Sequence, residues 1–589
     1  MPGPNEAITR KEMIDPALQR AGWDLDDPDQ VRFEIPVDGS SPQAWSALKT
    51  ELNRIKEVGG TYQVELPTGI SDYALYRSNG EVLAIVEAKR TSTDSRLAEP
   101  QAEYYVDEIA RRQSFRPFAF LSNGLDIYFL DAGVASKRLV AGFFSRSDLE
   151  NLLWMRQNKM PLSQAAINTA ITDRIYQQEA IRRVCEAFEQ NKRRALLVMA
   201  TGTGKTRTVI SIIDIFLRSN QARRILFVAD RDPLVEQTLR DGFKKFLPDD
   251  PSTRIHTQTL DTNNRLYVST LQTLSLNYRR FTPGFFDLII FDEVHRSIFN
   301  KWSEVLEYFD ARMIGLTATP ATFIDRNTFQ SFGCTDGTPT FLYSYERAVK
   351  EGYLVDFTLY KARTHLQRLG IKGVDLSEEE RNMLIEQGLD PDEISFEGTD
   401  LERKVSDRDM LRKQCQEILD VALNDRSGQQ IGKTIIFAIT QDHALRIADV
   451  FAEMYPQFHG LVRVITYKSD FKGKLIDDFK AKDLPRIAIT VDLLETGIDI
   501  PEVVNLVFMK PVHSYIKLWQ MIGRGTRPDA ACHFHDRLPN GHKSEFLIID
   551  FWENDFERAA EEEVASNTPV LCTVFNTRLK LLEYYLALP

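Results

Sequence analysis

Apolar residues recur along this chain in two different rhythms. In roughly the first 150 residues they come as pairs of short runs joined by Asn-Gly. Asp72–Tyr76 and Glu81–Lys89 flank Arg77-Ser-Asn79-Gly80, and Phe118–Leu121 and Ile127–Leu130 flank Asn123-Gly124. Two strand-like runs around Asn-Gly predict a hairpin, because both residues tolerate the positive φ that a tight turn needs. Ahead of them, Thr9-Arg-Lys-Glu12 reads as a capping box that opens a helix over 9–22, with Asp15-Pro16 as a restart.

From about residue 170 the rhythm changes to short apolar runs alternating with helical stretches. Ala195–Met199, Ile225–Ala229, Leu266–Ser269, Leu288–Phe291 and Met313–Leu316 each end in polar residues. A second series follows at Thr434–Ala438, Val462–Thr466, Ile487–Thr490, Val504–Phe508 and Phe546–Ile549. Continuous apolar strands between helices predict parallel sheets covered on both faces, so two α/β lobes are expected in series.

At 589 residues the chain has room for three or four domains. Its formal charge of -12 argues against a nucleic-acid enzyme until its distribution is examined. Between Asp375 and Glu402 stand eleven acidic residues and one basic residue, Arg381, so the remainder is close to neutral. A near-neutral body can still carry basic grooves, because binding follows local potential rather than total charge. The acidic stretch near 370–405 reads as an insertion in the second lobe. Five scattered cysteines without a CxxC pair point to a reducing, cytoplasmic setting. The cluster Cys532-His533-Phe534-His535 is too tightly spaced for the usual zinc site. No apolar run is long enough to span a membrane, and the polar N-terminus does not read as a signal peptide.

The chemistry of the second region begins at Ala200-Thr201-Gly202-Thr203-Gly204-Lys205-Thr206, between a strand and a helix. Backbone N–H groups of such a Gly-rich turn cradle phosphates, Lys205 would neutralise the β- and γ-phosphates, and Thr206 would ligate Mg²⁺. Met199 stands where the strict motif has its first glycine, so the loop alone is a modest signal. A buried strand ending in Asp292-Glu293 strengthens it: one carboxylate can hold the metal and the other can orient the attacking water. His295 fits a structural hydrogen bond as well as a coupling role. In Gln520–Arg527, Arg524 and Arg527 are three apart, so on a helix they share a face and could reach a γ-phosphate; alone, the segment would read as a solvated basic face.

These elements resemble the RecA-like motor of superfamily 2 helicases and translocases, in the right order over roughly residues 170–530. The resemblance implies adenine recognition by Gln177, DNA-backbone contacts from Val228–Gln237 and Val268–Gln272, and coupling through Thr317-Ala-Thr319. It also implies that Gly497 and Asp499, in Thr490–Pro501, touch nucleotide and backbone. The looser phosphate loop of that superfamily accommodates Met199.

In the first region, residues two apart on a strand face the same way, so Glu87, Lys89 and Ile85 project together, with Val86 and Ala88 opposite. Asp72, on the partner strand, can approach them. Two carboxylates and the Ala88 carbonyl make a hard-oxygen site for Mg²⁺, beside which Lys89 can orient the water. A lone D…ExK is more often a surface hairpin with a Glu–Lys pair. Here the strand is otherwise apolar, and Gln101 and Tyr105 follow on one helix face. The set resembles the PD-(D/E)xK nucleases with a downstream QxxxY motif, although Ser71 replaces the nominal proline.

A nuclease of this kind followed by a superfamily 2 motor resembles the restriction (R, motor) subunit of type I restriction-modification enzymes. Phe341–Asp356 and Phe546–Asp555 also look like that family. The resemblance implies an ATP- and Mg²⁺-dependent endonuclease that translocates double-stranded DNA and cuts away from the recognised sequence, in complex with methyltransferase and specificity subunits. The expected organisation is a nuclease domain over 1–155, a first RecA-like lobe over 165–358, a second over 359–560, and a truncated helical C-terminal region beginning at 561. Two other readings stay open: a stand-alone nuclease-helicase in repair or phage defence, and a DNA-bound scaffold whose nuclease is inactive.

Overall fold

A computed structural model describes residues 6–37, 69–257, 261–294, 301–318, 326–334, 337–362, 400–457, 460–466, 469, 472–491, 494, 499–512, 514–554 and 556. The expected acidic insertion up to residue 399, His295, Thr319, Gly497 and the C-terminal segment from 557 lie outside them; from Asp400 the chain is helical to Val421. The chain divides into two compact units, one running to residue 195 and over 206–315, the other over 196–205 and from 316 onward.

The first sheet has six strands in sequence order: β1 (Val31–Pro36), β2 (Ile70–Tyr76), β3 (Val82–Ala88), β4 (Phe118–Ser122), β5 (Ile127–Asp131) and β6 (Ala135–Val140). Both predicted hairpins are present. β2 and β3 pair antiparallel around Gly80 at φ 83°, and β4 and β5 pair antiparallel around Gly124 at φ 87°. β3 and β4 run parallel, linked through the helix Glu99–Ala110. Alternation along β3 separates two cores. Ile85 packs with Ala98, Ala102, Tyr105 and Val106 of the helical side. Val86 and Ala88 pack with Tyr73, Phe120 and Phe144 on the opposite face. Each large apolar side chain removed from water in this way contributes roughly 1.5–3 kcal/mol.

The N-terminus departs from the expected capped helix. Glu6–Arg20 is one helical run, with a π-helical turn at Arg10–Ile14. Thr9 has helical angles and makes no cap bond, and its hydroxyl lies 3.0 Å from Thr91 Oγ1. Asp15 restarts nothing, because the residues on either side of it stay helical; its carboxylate accepts a 2.7 Å hydrogen bond from the Tyr73 hydroxyl. Distant partners in β2 and after β3 have taken the groups that local capping would have used.

The second sheet has seven strands in the order β13-β7-β12-β11-β8-β10-β9. They are β7 (Arg194–Met199), β8 (Ile225–Ala229), β9 (Ser252–Arg254), β10 (Leu266–Thr270), β11 (Leu288–Asp292), β12 (Arg312–Thr317) and β13 (Phe341–Tyr343). The third has six strands in the order β14-β19-β18-β15-β17-β16, and every pair in it is parallel. They are β14 (Asp356–Lys361), β15 (Lys433–Ala438), β16 (Val462–Val464), β17 (Ile487–Thr490), β18 (Val503–Met509) and β19 (Glu545–Asp550). Its faces are buried in two clusters: Ile436, Ile489 and Val507 lie in one, and Ile435, Ala488 and Leu506 in the other. That double-sided burial is why the inner strands β15, β17, β18 and β19 are largely apolar, whereas the edge strands β14 and β16 carry polar, partly exposed residues.

Candidate nuclease and nucleotide-binding sites

Asp72 lies just beyond the last hydrogen-bonded partners of the β2–β3 hairpin, Tyr73 and Val86. Its side chain closes the hairpin: Oδ2 accepts the Ala88 backbone N–H at 2.8 Å. That bond draws Asp72 to the end of β3, where Glu87 is 1% exposed. Glu87 Oε1 is buried and has no hydrogen-bond partner. Burial, and then the charge of Asp72, push the Glu87 carboxyl up to about 8; Lys89 and hydrogen bonds from Ser71 and the Asp72 backbone pull the other way.

Lys89 follows on the same face. Its Nζ donates to Gln101 Oε1 at 3.4 Å, and Gln101 Nε2 donates to the Tyr105 hydroxyl at 2.7 Å. The spacing of four on the helix aligns Gln101 with Tyr105, and the packing of that helix on Ile85 sets both beside Lys89. Gly69 crosses the Tyr105 ring so closely that a Cβ would collide with it. Asp72, Glu87, Lys89, Gln101 and Tyr105 are therefore brought together as the sequence predicts.

One residue at this site is not singled out by the sequence. Arg10 Nη1 lies 3.3 Å from Asp72 Oδ1, and its Nη2 lies 3.4 Å from the Asp72 carbonyl. Its guanidinium also stands 3.9 Å from Glu34 Oε1 and over the Tyr73 ring. Within Thr9-Arg10-Lys11-Glu12 it reads as one more solvated helix charge, and no local pattern pairs it with a residue 62 positions away.

The phosphate loop leaves β7 at Met199. Gly202 and Gly204 have φ of 96° and 82°, backbone that non-glycine residues rarely adopt. Thr203 Oγ1 donates to the Ala200 carbonyl at 2.7 Å, and Lys205 Nζ turns back to the Met199 carbonyl at 3.3 Å. Gly523–Arg527 packs directly on this loop. A Cβ on Gly202 would collide with Arg527 Nη1 and Thr526, and one on Gly523 would collide with Thr201. A small cavity of about 20 Å³ remains there, lined by residues including Thr201, Tyr345, Trp519 and Thr526.

The expected helical arginine face is not formed. The helix Tyr515–Ile522 ends at Gly523, so Arg524 and Arg527 stand in the turn beyond it. Glycines at 523 and 525 favour this stop. Arg527 Nε pairs with Asp499 Oδ1 at 2.6 Å, and its buried Nη1 has no hydrogen-bond partner. Burial opposes ionisation of Asp499, but the charge and hydrogen bond of Arg527 prevail and hold it below the ordinary carboxylate range. Arg524 instead folds its Nε back to the Gln520 carbonyl at 3.2 Å.

Thr206 is in the first turn of the helix Lys205–Arg218, and buried Gln177 is in the helix Ile175–Glu189. Asp292 ends β11 as expected, while Glu293 lies one residue beyond it. Asp292 accepts the Glu293 N–H at 3.1 Å, with Glu293 at φ 55°. Asp287, at the other end of that strand, has a different task. It is buried and accepts hydrogen bonds from Asn151 Nδ2 and the backbone N–H groups of Arg223 and Arg224, each at 2.8 Å. Among the described residues no group of three or more His, Cys, Asp or Glu is placed to hold a metal. Cys532 is buried, with its Sγ directed at the Pro501 carbonyl.

The fold is therefore α/β, with a restriction-enzyme-like sheet domain followed by two RecA-like lobes. Residues 3–138 match the family model for the type I restriction enzyme R protein N terminus. Residues 170–322 match that for the type III restriction enzyme res subunit, and 412–529 the helicase conserved C-terminal domain. The chain resembles the restriction (R, motor) subunit of type I restriction-modification enzymes. It is 28% identical over 556 residues to the type I restriction enzyme EcoAI endonuclease subunit of Escherichia coli, which covers 89% of this chain and 64% of that protein. It is 29% identical over 652 residues to the EcoKI endonuclease subunit of Escherichia coli strain K12, with 91% and 51% covered. The chain thus spans about half to two thirds of the length of these relatives. A solved fragment described as an HsdR subunit of a type I restriction enzyme from Vibrio vulnificus YJ016 is 24% identical, with a TM-score of 0.49 and 95% of each chain covered.

Proposed function

We propose that this chain is the restriction and motor subunit of a type I restriction-modification complex: an ATP-dependent endonuclease that translocates double-stranded DNA and cuts it away from the recognised sequence. The observation that carries the nuclease half is Glu87. A buried carboxyl with an oxygen that bonds to nothing, beside Asp72, is costly unless the site exists to take a cation. The donor set suits Mg²⁺: Asp72 and Glu87 carboxylates with the Ala88 carbonyl, all hard oxygens. When bound there, such an ion supplies Lewis-acid stabilisation of the charge that develops on the phosphodiester.

The chain's own residues do the rest. Lys89 holds the water nucleophile in line, and Gln101, bonded to both Lys89 and Tyr105, fixes the ammonium over the site. Tyr105 and Gln101 also face the DNA. In the motor, the loop Thr201–Lys205 receives the phosphates and Gln177 reads the adenine. Thr206 and Asp292 hold the nucleotide's Mg²⁺, and Glu293 orients water for hydrolysis. Arg527 is the arginine finger, its unpartnered Nη1 beside Gly202, with Arg524 in support; Gly497 and Asp499 complete the nucleotide side.

DNA contacts go chiefly to the phosphate backbone, which positions but does not specify. Sequence choice therefore comes from specificity and methyltransferase subunits, with which the chain works in the cytoplasm. Co-purification tests the partner assignment. The chain is expected to form a complex with cognate methyltransferase and specificity subunits and to cut plasmid only with them, Mg²⁺ and ATP. Cutting at full rate without partners would replace this reading with a stand-alone nuclease-helicase.

A further inference from the structure

Arg10 sits at the nuclease site in a way that the D…ExK chemistry does not require. Its guanidinium grips one residue twice, through the side-chain Oδ1 and the backbone carbonyl of Asp72. A second carboxylate is within reach, Glu34 Oε1 at 3.9 Å. Glu34 lies in β1 between Phe33 and Ile35, which pair with Tyr73 and Ser71 of β2, so it stands across the sheet from Asp72. It is held there at φ 53°, a backbone conformation that non-glycine residues rarely adopt. Arg10 therefore has two carboxylates, and one of them, Asp72, is also needed by a metal ion.

We propose that Arg10 is the resident counter-cation of Asp72, and that it is exchanged to Glu34 when a divalent ion takes the Asp72 carboxylate. This rests on the metal-dependent nuclease reading given above. Without the ion, Arg10 keeps Asp72 oriented and in reach of the Ala88 N–H. When the ion arrives, the guanidinium no longer has to oppose a second positive charge, because Glu34 receives it over a short swing. Arg10 is a positioning residue: it acts through Asp72 and forms no bond to the reacting phosphate.

A double-mutant cycle read by metal binding tests the exchange. Mg²⁺ is titrated calorimetrically into the full chain without nucleotide, and the heat lost in Glu87→Gln is assigned to this site. Arg10→Gln is expected to tighten Mg²⁺ by about threefold to tenfold, and Glu34→Gln to weaken it by about the same factor. In the Arg10→Gln background, Glu34→Gln is expected to change binding by less than about twofold, because no guanidinium remains to be received. Arg10→Lys, which keeps the charge without the two-pronged grip, gives a second cycle with smaller coupling, and melting curves check that each variant is folded. An equal effect of Glu34→Gln in both backgrounds is what a simple through-space field gives, and it overturns the exchange while leaving the metal site standing. Absence of any Glu87-dependent heat overturns both.

Discussion

Metal binding at the Asp72–Glu87 pair should be coupled to a proton. The perturbation is pH, and the group is Glu87, whose folded carboxyl is raised from 4.5 to about 8 chiefly by burial and then by the charge of Asp72. A raised carboxyl is protonated in the folded chain over a range where an exposed one is ionised. Mg²⁺ needs the carboxylate, so at neutral pH it must displace that proton, and affinity rises with pH until the carboxyl ionises unaided. With a value of about 8, roughly one molecule in a hundred is ionised at about pH 6 and about half at about pH 8, so the apparent Kd should tighten on the order of fifty-fold between them. Near about pH 7, close to one proton should leave per ion bound. Calorimetry in buffers of different ionisation enthalpy measures both quantities. The same coupling gives the sign for stability: without metal, the folded chain loses stability as pH rises from about 4.5 to about 8, and Glu87→Gln removes that loss. An affinity that is flat between about pH 6 and about pH 8, with no proton released, would refute the reasoning, because Glu87 would then be ionised already or would not be a ligand.

Four further outcomes follow from the same geometry. Asp72→Ala should abolish DNA cutting while leaving DNA-stimulated ATPase within about twofold, since it touches the hairpin and not the phosphate loop; a cutting assay paired with phosphate release checks this. Lys205→Ala should abolish ATP hydrolysis with an unchanged circular dichroism spectrum, and retained DNA-stimulated hydrolysis would refute the phosphate-loop assignment. Gly202→Ala should lower ATPase by at least about tenfold, because the loop needs positive φ there and Arg527 occupies the space of a Cβ. Arg527→Ala should reduce kcat by about a hundredfold or more with nucleotide binding retained, measured by steady-state turnover and fluorescent-nucleotide titration.

The fold was legible wherever one short stretch decides it. Asn79-Gly80 and Asn123-Gly124 announced their hairpins, and most of the apolar runs of the second and third sheets marked buried strands, Val462–Val464 at a sheet edge being the half-exposed exception. The placement of the candidate nuclease residues was legible because period-2 and period-4 spacings set Glu87, Lys89, Gln101 and Tyr105 with little help from the rest of the chain. What was not legible depends on distant partners. Thr9 looked like a cap and instead meets Thr91; Asp15 looked like a restart and instead holds Tyr73. Arg10 is singled out by no local pattern, and it grips Asp72. The face shared by Arg524 and Arg527 assumed a helix that Gly523 ends, and which arginine meets Asp499 is settled by tertiary packing.

A cutter and a motor on one chain that act together must each be needed for cleavage. The most direct test is cleavage of plasmid carrying the recognition sequence by the complex with methyltransferase and specificity subunits, in Mg²⁺, with and without ATP, for the wild type, Asp72→Ala and Lys205→Ala. Double-strand cutting is expected only from the wild type with ATP, hydrolysis without cutting from Asp72→Ala, and neither from Lys205→Ala. Undiminished cutting in Asp72→Ala, or in the absence of ATP, would contradict that joint requirement.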